Sequence, residues 1–335
     1  MEAKRMTVVA LAKACGVSKT TVSAALGGSG RVSEEVRRRV RTEARRLGWR
    51  PDPHLSQLMG YLRQTRRAAA VCNLAWLNTA EDERRWHDLP WFAGYLKGAR
   101  RRAEELGYRI DEQWTRAEGT RAPALARQWA ARGIAGVLLP LPEEHGVLRS
   151  LLKQPLAWVV IDEAELELPF PRVQADRHGN LRVLLEEGWQ LGYRRPALAL
   201  DPYVDRISQH AYSSAYLGWC RLREVRPQVV DLNKGSEAQA VKSLFGERGV
   251  DLVVGSDSRL IAWCEAAGKR VPQDVGVAHL NLAADVSGWA GVVQEHETIG
   301  ASAVDQLVSL LTLRDFSRRK QIVLVPGKWC PGTTL

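Results

Sequence analysis

The chain has 335 residues, of which 45% are hydrophobic and 26% are charged. This composition is typical of a folded protein with more than one domain, and it excludes a wholly disordered chain. No apolar run approaches the roughly 18 residues that a membrane-spanning helix needs, and the first residues lack the apolar core of a secretion signal. We therefore expect a cytoplasmic protein with no membrane partner.

The five cysteines are widely separated, without a C-x-x-C pair or a clustered histidine. This pattern predicts buried free thiols and no metal site. The chain also lacks a G-x-G-x-x-G after a predicted strand and a G-x-x-x-x-G-K-[ST] loop, which are the glycine-rich sequences that hold nucleotide phosphates. We expect no cofactor.

The formal net charge of +10 is concentrated near the N-terminus. Residues 1–67 contain 15 Lys and Arg against 5 Asp and Glu, so the net charge lies in the first fifth of the chain. A segment with this bias is either a solvated surface or a surface that binds nucleic acid, and charge alone leaves both interpretations open.

The first elements predicted in chain order are two short helices. Val8–Cys15 carries recurring small and apolar side chains, and Thr7 precedes it as an N-cap. Gly16 suits a tight turn, and Ser18 can cap a second helix that runs to about Leu26. Two helices joined this closely form a helix-turn-helix.

The outer face of the second helix suits DNA. Val22 and Leu26 are four residues apart and point inward, which leaves the polar side chains outside. The residues predicted to read bases are Lys19, Thr20 and Ala24, and those predicted to contact phosphates are Thr7, Ser18, Thr21 and Ser23. The alternatives are a phosphate contact by Lys19, a backbone hydrogen bond by Thr20 and plain helix propensity for Ala24.

A third helix is predicted after Ser33, because Glu34 and Glu35 would stand in its first turn, at the positive end of the helix dipole. Its inner face is predicted to hold Val36, Val40 and Leu47. Residues 1–50 are therefore predicted to form an all-α headpiece.

Three segments of this region resemble the headpiece of the LacI/GalR family of bacterial regulators. They are T-V-V-A-L-A-K-A-C-G-V-S-K-T-T-V-S-A-A-L-G-G, R-V-S-E-E-V-R-R-R-V and L-G-W-R-P. The resemblance implies that residues 51–66 form a hinge, which becomes a helix when two copies meet in the minor groove, with Leu58 wedged between base pairs. Packing of Leu58 against Leu55 and Leu62 in an ordinary amphipathic helix is the alternative.

From residue 67 to residue 335, short apolar runs alternate with charged helical stretches, which is typical of an α/β body. The predicted strands are 71–77, 108–114, 134–140, 156–162, 197–201, 252–255, 275–280, 291–294 and 322–325. Two parallel lobes would create a cleft at the carboxyl ends of these strands.

The LacI/GalR resemblance continues in the body through F-A-G-Y-L-K-G-A-R-R-R-A-E-E-L-G-Y, G-I-A-G-V-L-L-P and V-P-Q-D-V-G-V. It implies a body like a periplasmic sugar-binding protein, used for effector binding and dimerisation, with crossovers between lobes near 165–172, 293–298 and 319–323. The N-lobe is then expected at about 67–167 and 296–320, and the C-lobe at about 168–295 and 321–335.

The cleft departs from what the resemblance implies for a sugar. An arginine is expected near the start of the helix after the 197–201 strand, where this chain has His210 or Tyr212, and Asn281 replaces an aspartate. The predicted effector-binding residues are Trp91, Phe92, Asp205, Tyr212, Ser256 and Asn281. Packing or surface roles are the alternative for each residue, and the altered set implies a different ligand, a protein partner or no ligand.

These features predict a sequence-specific transcriptional regulator, expected to be a repressor, that is associated with the nucleoid when it is bound to DNA. We expect it to bind a near-palindromic operator as a homodimer and to respond to an unidentified small-molecule effector. The alternatives are the same regulator without an effector, a solute-binding protein and an enzyme on the α/β body. The enzyme would have to use Asp176 with His178, or Cys264 with His279. Because neither pair lies in a nucleophile elbow or a metal-ligand spacing, we predict no enzymatic activity.

Overall fold

The computed structural model describes residues 8–26, 32–47, 49, 72–83, 89–162, 166–232, 237–246, 249–282, 288–313 and 320–335. The chain divides into two compact units, Met1–Ala69 and Ala70–Leu335. They are called the headpiece and the body. The predicted hinge at 51–66, with Leu58, and the predicted cap Thr7 lie outside the described residues.

The headpiece contains three helices, α1 (Val8–Cys15), α2 (Lys19–Leu26) and α3 (Glu34–Arg46). Gly16, at φ +62°, makes the turn after α1, a conformation that costs glycine little. The Ser18 hydroxyl accepts a hydrogen bond from the Thr21 N–H at 3.0 Å, and the Ser33 hydroxyl accepts one from the Val36 N–H at 3.5 Å. The predicted Ser18 cap is therefore confirmed, and Ser33 caps α3 in the same way.

One apolar cluster holds the three helices together. Its buried members are Leu11, Ala12, Cys15, Val22, Ala25, Val40 and Ala44. Val36 and Leu47 pack against this cluster while partly exposed, as the predicted inner face of α3 requires. Because all three helices contribute, each of them depends on the other two for burial of its apolar side.

The body consists of parallel strands with intervening helices. In chain order the elements are β1 (Cys72–Asn78), α4 (Pro90–Glu105), β2 (Tyr108–Trp114), α5 (Ala122–Ala131), β3 (Ile134–Pro140), α6 (Gly146–Leu151), β4 (Ala157–Ile161), β5 (Arg172–Ala175), α7 (Arg177–Gln190), β6 (Pro196–Leu200), α8 (Pro202–Ile207) and α9 (Ala211–Leu222). They continue with β7 (Val229–Asp231), α10 (Glu237–Phe245), β8 (Leu252–Gly255), α11 (Leu260–Ala266), β9 (Gly276–His279), β10 (Ala290–Val293), α12 (His296–Leu313), β11 (Ile322–Val325) and β12 (Lys328–Cys330).

These strands form two six-stranded sheets, one in each lobe. The first has the order β11-β5-β4-β3-β1-β2, and the second has the order β12-β10-β9-β8-β6-β7. Every pairing is parallel except that of β10 with β12. The two-lobed α/β architecture predicted from the sequence is confirmed.

The sheet order corrects two of the three predicted crossovers. Strands β5 and β11 were assigned to the C-lobe, but both belong to the first sheet, where Ile322 pairs with Arg172 and Val325 with Ala175. The chain therefore passes between the lobes after Ala175 and after Val325, and the assignments of 168–175 and 321–325 were wrong. The physical reason is that β5 is four residues long and buries Arg172 and Gln174, so no apolar run marks it.

The four cysteines whose side chains are described are free thiols, as predicted. Cys15, Cys220 and Cys264 are buried free thiols, and Cys330 is half-buried and free. Burial raises the pKa of Cys264 to about 12, so this thiol stays protonated at neutral pH. Within the described ranges, no helix has the length and apolar content needed to cross a bilayer.

Candidate functional site

The first turn of α2 presents the predicted DNA-contacting side chains. Lys19 and Thr20 are exposed, whereas Thr21 and Ala24 are half-buried. The Ser18 hydroxyl lies 2.6 Å from the Thr20 hydroxyl and 2.8 Å from that of Thr21. These bonds restrict the three hydroxyls near the positive end of the helix dipole, where phosphate oxygens bind well. The side chain of Ser23 is not among those that the structure describes.

The body has a cavity of about 940 Å³ between its lobes. Its walls come from the carboxyl ends of strands in both sheets, including Leu141 after β3, Asp162 after β4, Ser256 after β8 and Asn281 after β9. Five of the six predicted cleft residues line it: Trp91, Phe92, Tyr212, Ser256 and Asn281. The sequence therefore predicted the position of the cleft from the strand ends.

Asp205 is the sixth predicted cleft residue, and it is not in the cavity lining. Its carboxylate is 2.9 Å from His210 Nδ1 and accepts a hydrogen bond from the Ser213 N–H at 3.2 Å. His210 is in the left-handed region at φ +61°. Asp205 thus holds the junction of α8 and α9, while Tyr203, Val204 and Ile207 from α8 face the cavity.

An aromatic wall begins in the first turns of α4. The centroid of the Trp91 ring lies 5.6 Å from that of Phe92 and 6.2 Å from that of Tyr95. These distances and the tilts between the rings are typical of packed aromatic side chains. Phe92 and Tyr95 are buried, and Trp91 is half-buried. These rings serve as core on one side and cavity wall on the other.

Tyr95, Asp162 and Arg177 form a polar group at the cavity, in which Tyr95 and Asp162 are buried and Arg177 is half-buried. Sequence reasoning missed this group. The Tyr95 hydroxyl donates to Asp162 Oδ2 at 2.6 Å, and Arg177 Nη2 donates to Asp162 Oδ1 at 2.6 Å. Burial first, and then the Asp162 carboxylate, raise the pKa of Tyr95 well above its usual value, so the hydroxyl keeps its proton. Arg177 lines the cavity, so the cleft contains an arginine from α7 and not at the position near His210 and Tyr212 that the resemblance implies.

The position of Asp162 explains its role. It follows β4 directly and its backbone adopts φ +66°, in the left-handed region that residues other than glycine seldom occupy. Asp162 comes from the first lobe, whereas Arg177 begins α7 after the first crossover. The predicted strand 156–162 ends at Asp162, and this position at a strand end could have indicated a cleft residue. No such sequence signal pointed to Arg177, because the strand before it, β5, was not predicted.

Charged groups at the rim are also paired. Arg116 Nη2 lies 3.6 Å from Glu143 Oε2, and Arg116 Nε donates to the Thr79 carbonyl at 2.9 Å. Glu144 accepts a hydrogen bond from Arg149 at 2.7 Å, which lowers the pKa of this carboxyl. The two arginines that line the cavity, Arg116 and Arg177, therefore both have carboxylate partners.

The deeper wall offers hydrogen-bonding groups. Gln294 Nε2 lies 3.3 Å from the Tyr212 hydroxyl, and the His296 ring meets the Tyr95 ring edge-on at 5.3 Å. Burial lowers the pKa of His296, so its imidazole is neutral at pH 7. Asn281 Oδ1 is buried without a hydrogen-bond partner among the described residues, so it can accept a bond from a ligand.

The residues considered for an enzyme have structural positions. Asp176 caps α7 by accepting a hydrogen bond from the Gly179 N–H at 2.8 Å, and Cys264 is a buried, protonated thiol in the core of the second lobe. Among the residues that the structure describes, no group of three or more His, Cys, Asp or Glu side chains could hold a metal ion.

Comparison with known protein families gives two matches. Residues 8–52 match the LacI family of bacterial regulatory proteins, and residues 185–335 match a periplasmic binding protein-like domain. The chain is 22% identical over 293 residues to the HTH-type transcriptional regulator KdgR of Bacillus subtilis (strain 168), covering 81% of this chain and 80% of KdgR. It is 25% identical over 287 residues to the HTH-type transcriptional regulator CelR of Thermobifida fusca, covering 82% and 81%.

Solved structures show the same fold. A CelR–cellobiose complex superposes with a TM-score of 0.59 at 20% identity, covering 98% of this chain and all of that one. The lac repressor dimer bound to operator and the anti-inducer ONPF superposes with a TM-score of 0.59 at 17% identity, covering 99% of both chains. The chain therefore combines a helix-turn-helix domain of the LacI family with a periplasmic binding protein-like body, and it is a DNA-binding transcriptional regulator.

Proposed function

We propose that this regulator is a repressor that binds a near-palindromic operator as a homodimer, with one α2 helix in each half-site. The observation that carries the proposal is the exposed first turn of α2, where Lys19 and Thr20 follow the Ser18 cap. In this assignment Lys19, Thr20 and Ala24 contact bases, and Thr7, Ser18, Thr21 and Ser23 contact phosphates. The operator-bound dimer of the related lac repressor supports the symmetry.

The hinge belongs to the same proposal. Leu58 lies outside the described residues, so its assignment as a minor-groove wedge rests on the family resemblance. An inserted leucine would kink the duplex, at a cost of a few kcal/mol that added contacts offset. Leu58→Ala should therefore weaken specific binding and reduce operator bending in a gel-based bending assay. Unchanged bending would remove the wedge assignment.

We further propose that the cavity of the body binds a small polyhydroxylated effector. The Asp162–Arg177 pair offers an acceptor and a donor side by side, which suits a hydroxyl group that accepts from one and donates to the other. Asn281 Oδ1 supplies a further acceptor, and the Trp91 and Phe92 rings supply an apolar wall. Cellobiose, found in the complex of the related CelR, is the ligand class that supports this choice.

Effector binding would act on DNA binding through the lobes. Asp162 belongs to the first lobe, and Arg177 and Asn281 belong to the second, so a ligand touching all three favours one angle between the lobes. Such coupling between two sites typically amounts to about 1–3 kcal/mol. A change of that size alters operator affinity by roughly 5- to 150-fold.

A thermal-shift screen against neutral mono- and disaccharides tests the effector. A ligand at 100 times its Kd should stabilise the protein by about 2.7 kcal/mol. The variant Asn281→Leu should lose this stabilisation, and the matched control Gln190→Leu, which changes an exposed amide on α7, should retain it. An operator selected from a random duplex library should then be bound more weakly or more strongly when the sugar is present.

A regulator without an effector is the second candidate. It is favoured by the pairing of Asp162 with Arg177 and of Glu143 with Arg116, because these groups are satisfied without a ligand. Selected operator binding that is indifferent to every sugar, together with no thermal shift, would support this candidate and contradict the effector proposal.

A further inference from the structure

Three exposed arginines form a ridge along α3. Arg38, Arg41 and Arg45 are spaced by three and four residues, so they lie on one stripe of the helix. Val40 and Ala44 are buried in the apolar cluster, whereas the three arginines are exposed, so the stripe faces solvent. With a rise of about 1.5 Å per residue, the arginine ridge extends over about 10 Å.

The charge of this ridge is not compensated by its own helix. Of the three acidic residues of α3, Glu34 pairs with Arg37 at 2.8 Å and Glu43 pairs with Arg46 at 2.5 Å. In the described part of the chain, Arg38, Arg41 and Arg45 form no ion pair. The ridge therefore presents three exposed guanidinium groups. It lies within residues 1–67, the segment that carries the whole net charge of +10.

The ridge does not share a face with the predicted reading surface. Helices α1, α2 and α3 enclose one apolar cluster and contact one another pairwise. Helices that surround a single core turn their outer sides in different directions. A duplex held by Lys19 and Thr20 on α2 therefore leaves the outer side of α3 open.

A duplex backbone is the complementary partner for such a ridge. DNA carries one negative charge per about 1.7 Å of axis, so about 10 Å of duplex presents roughly six phosphates. Arginine binds phosphate through two parallel hydrogen bonds, which makes three exposed guanidiniums a strong but sequence-independent contact. Aromatic and apolar groups that would indicate a folded protein partner do not interrupt the stripe, since Thr42 is its remaining central member.

From this geometry we propose that the arginine ridge binds the phosphate backbone of a second DNA segment while α2 reads the first. The inference rests on the proposed reading role of α2. Each headpiece would then hold two duplex segments, one by sequence and one by charge.

The test uses the full-length chain and a selected short operator duplex fixed to beads. After saturation with protein, a labelled 30-base-pair duplex without an operator is added, and its capture is measured at several salt concentrations. The ridge variant is Arg38→Gln/Arg41→Gln/Arg45→Gln. The control variant is Arg109→Gln/Arg127→Gln/Arg221→Gln, which removes the same charge from exposed positions in the body.

Wild type and control should capture the second duplex, and the ridge variant should lose at least about tenfold of this capture. The slope of log affinity against log salt should fall by up to about 2.7, since each lost phosphate contact removes about 0.9. Affinity for the short operator should change by less than about twofold. Thermal unfolding and circular dichroism should match wild type, because the three side chains are exposed.

Three outcomes overturn the inference. They are no capture by wild type, equal capture by wild type and the ridge variant, and a loss of short-operator affinity as large as the loss of capture, which would place the ridge on the same duplex. Lys19→Ala should relax the base preference at one operator position and still capture the second duplex. If wild type shows no base preference at all, the proposed function fails, and the salt slope on nonoperator duplex alone still decides the ridge.

Discussion

In the headpiece, Lys19 and Thr20 follow each other on one exposed turn of α2, whereas in the body Tyr95, Asp162 and Arg177 come from distant parts of the chain and meet through hydrogen bonds. The headpiece carries a surplus of basic groups that face solvent. The body contains equal numbers of acidic and basic residues over 68–335, and the charges in its cavity are paired. A surface that attracts a polyanion needs charge in excess, while a closed cavity cannot hold unpaired charge without a large desolvation cost.

The comparison also separates how the two regions tolerate substitution. A polar side chain on α2 can change without unfolding the headpiece, so its effect should appear in DNA binding. A charged side chain at the cavity is part of the packing between the lobes, so its effect should appear in stability first.

The largest expected effect is that of Asp162→Ala in the body. Removing this carboxylate breaks the Asp162–Arg177 ion pair and the hydrogen bond from Tyr95, which should lower the free energy of unfolding by about 3–5 kcal/mol. Urea denaturation followed by tryptophan fluorescence measures the change. Glu144→Ala, which breaks an exposed pair at the rim, is the control and should have little effect. Equal effects of the two variants would mean that the buried pair is not what holds the lobes.

Lys19→Ala should act on recognition and leave folding intact. If Lys19 donates to a guanine, its loss relaxes preference at one operator position and costs about 1–3 kcal/mol of specific binding. Fluorescence anisotropy with selected and scrambled duplexes measures both affinities, and Lys13→Ala on α1 serves as the control. The same loss on both duplexes would identify Lys19 as a phosphate contact.

Ser33→Ala tests how local the stability of the headpiece is. The substitution removes the cap of α3 and should destabilise the headpiece by about 1 kcal/mol, toward the lower part of the usual range because the Val36 N–H lies 3.5 Å away. Ser33→Asp should restore the cap. A shift in the unfolding of the body instead of the headpiece would contradict the assignment of two separate units.

The smallest expected effect is a pH dependence confined to the body. Burial is the main cause that lowers the pKa of His145 and of His296 in the folded protein, so folding favours their neutral forms. The resulting stability is fully present above the unfolded value of about 6.5 and is lost as the pH falls from there through the lower folded pKa.

Urea midpoints between pH 8 and pH 5.5 should therefore decrease, and the decrease should be smaller in His145→Asn and His296→Gln. Asparagine at 145 keeps an acceptor for the Leu148 N–H at the start of α6. Residues 8–49, which include the three helices of the headpiece, contain no histidine, so the unfolding of these helices should not follow this profile. An unchanged slope in both variants would show that other groups control the acid sensitivity of the body.

The positions of most elements could be predicted because their signals are short-range. The caps Ser18 and Ser33 act on N–H groups three residues ahead, and the Gly16 turn needs only its own φ. Strands β2, β3, β8 and β11 were predicted with the observed ends, since each is an apolar or alternating run between turn residues. Strands β5, β7 and β12 were missed, because they contain three or four residues and little apolar sequence.

The cleft was predicted only in part, for a related reason. The ends of strong strands indicated Ser256 and Asn281, but proximity in sequence misassigned Asp205, whose side chain leaves the cavity face of α8 and contacts His210. Arg177 could not be found, since the preceding strand β5 is only four residues long and lacks an apolar run. Its place in the first sheet comes from pairing with β4 and with β11, which lies about 150 residues away.

The sequence by itself therefore determined the headpiece, the two-lobed α/β body and the family, because caps, turns and apolar periodicity act within a few residues. Only the tertiary structure decided the sheet order, the crossovers and the Tyr95–Asp162–Arg177 group. Parallel strands pair across long stretches of chain, and the partners of a buried carboxylate are set by how the sheets are assembled. The spacing of neighbouring residues therefore predicts neither the strand order nor these partners.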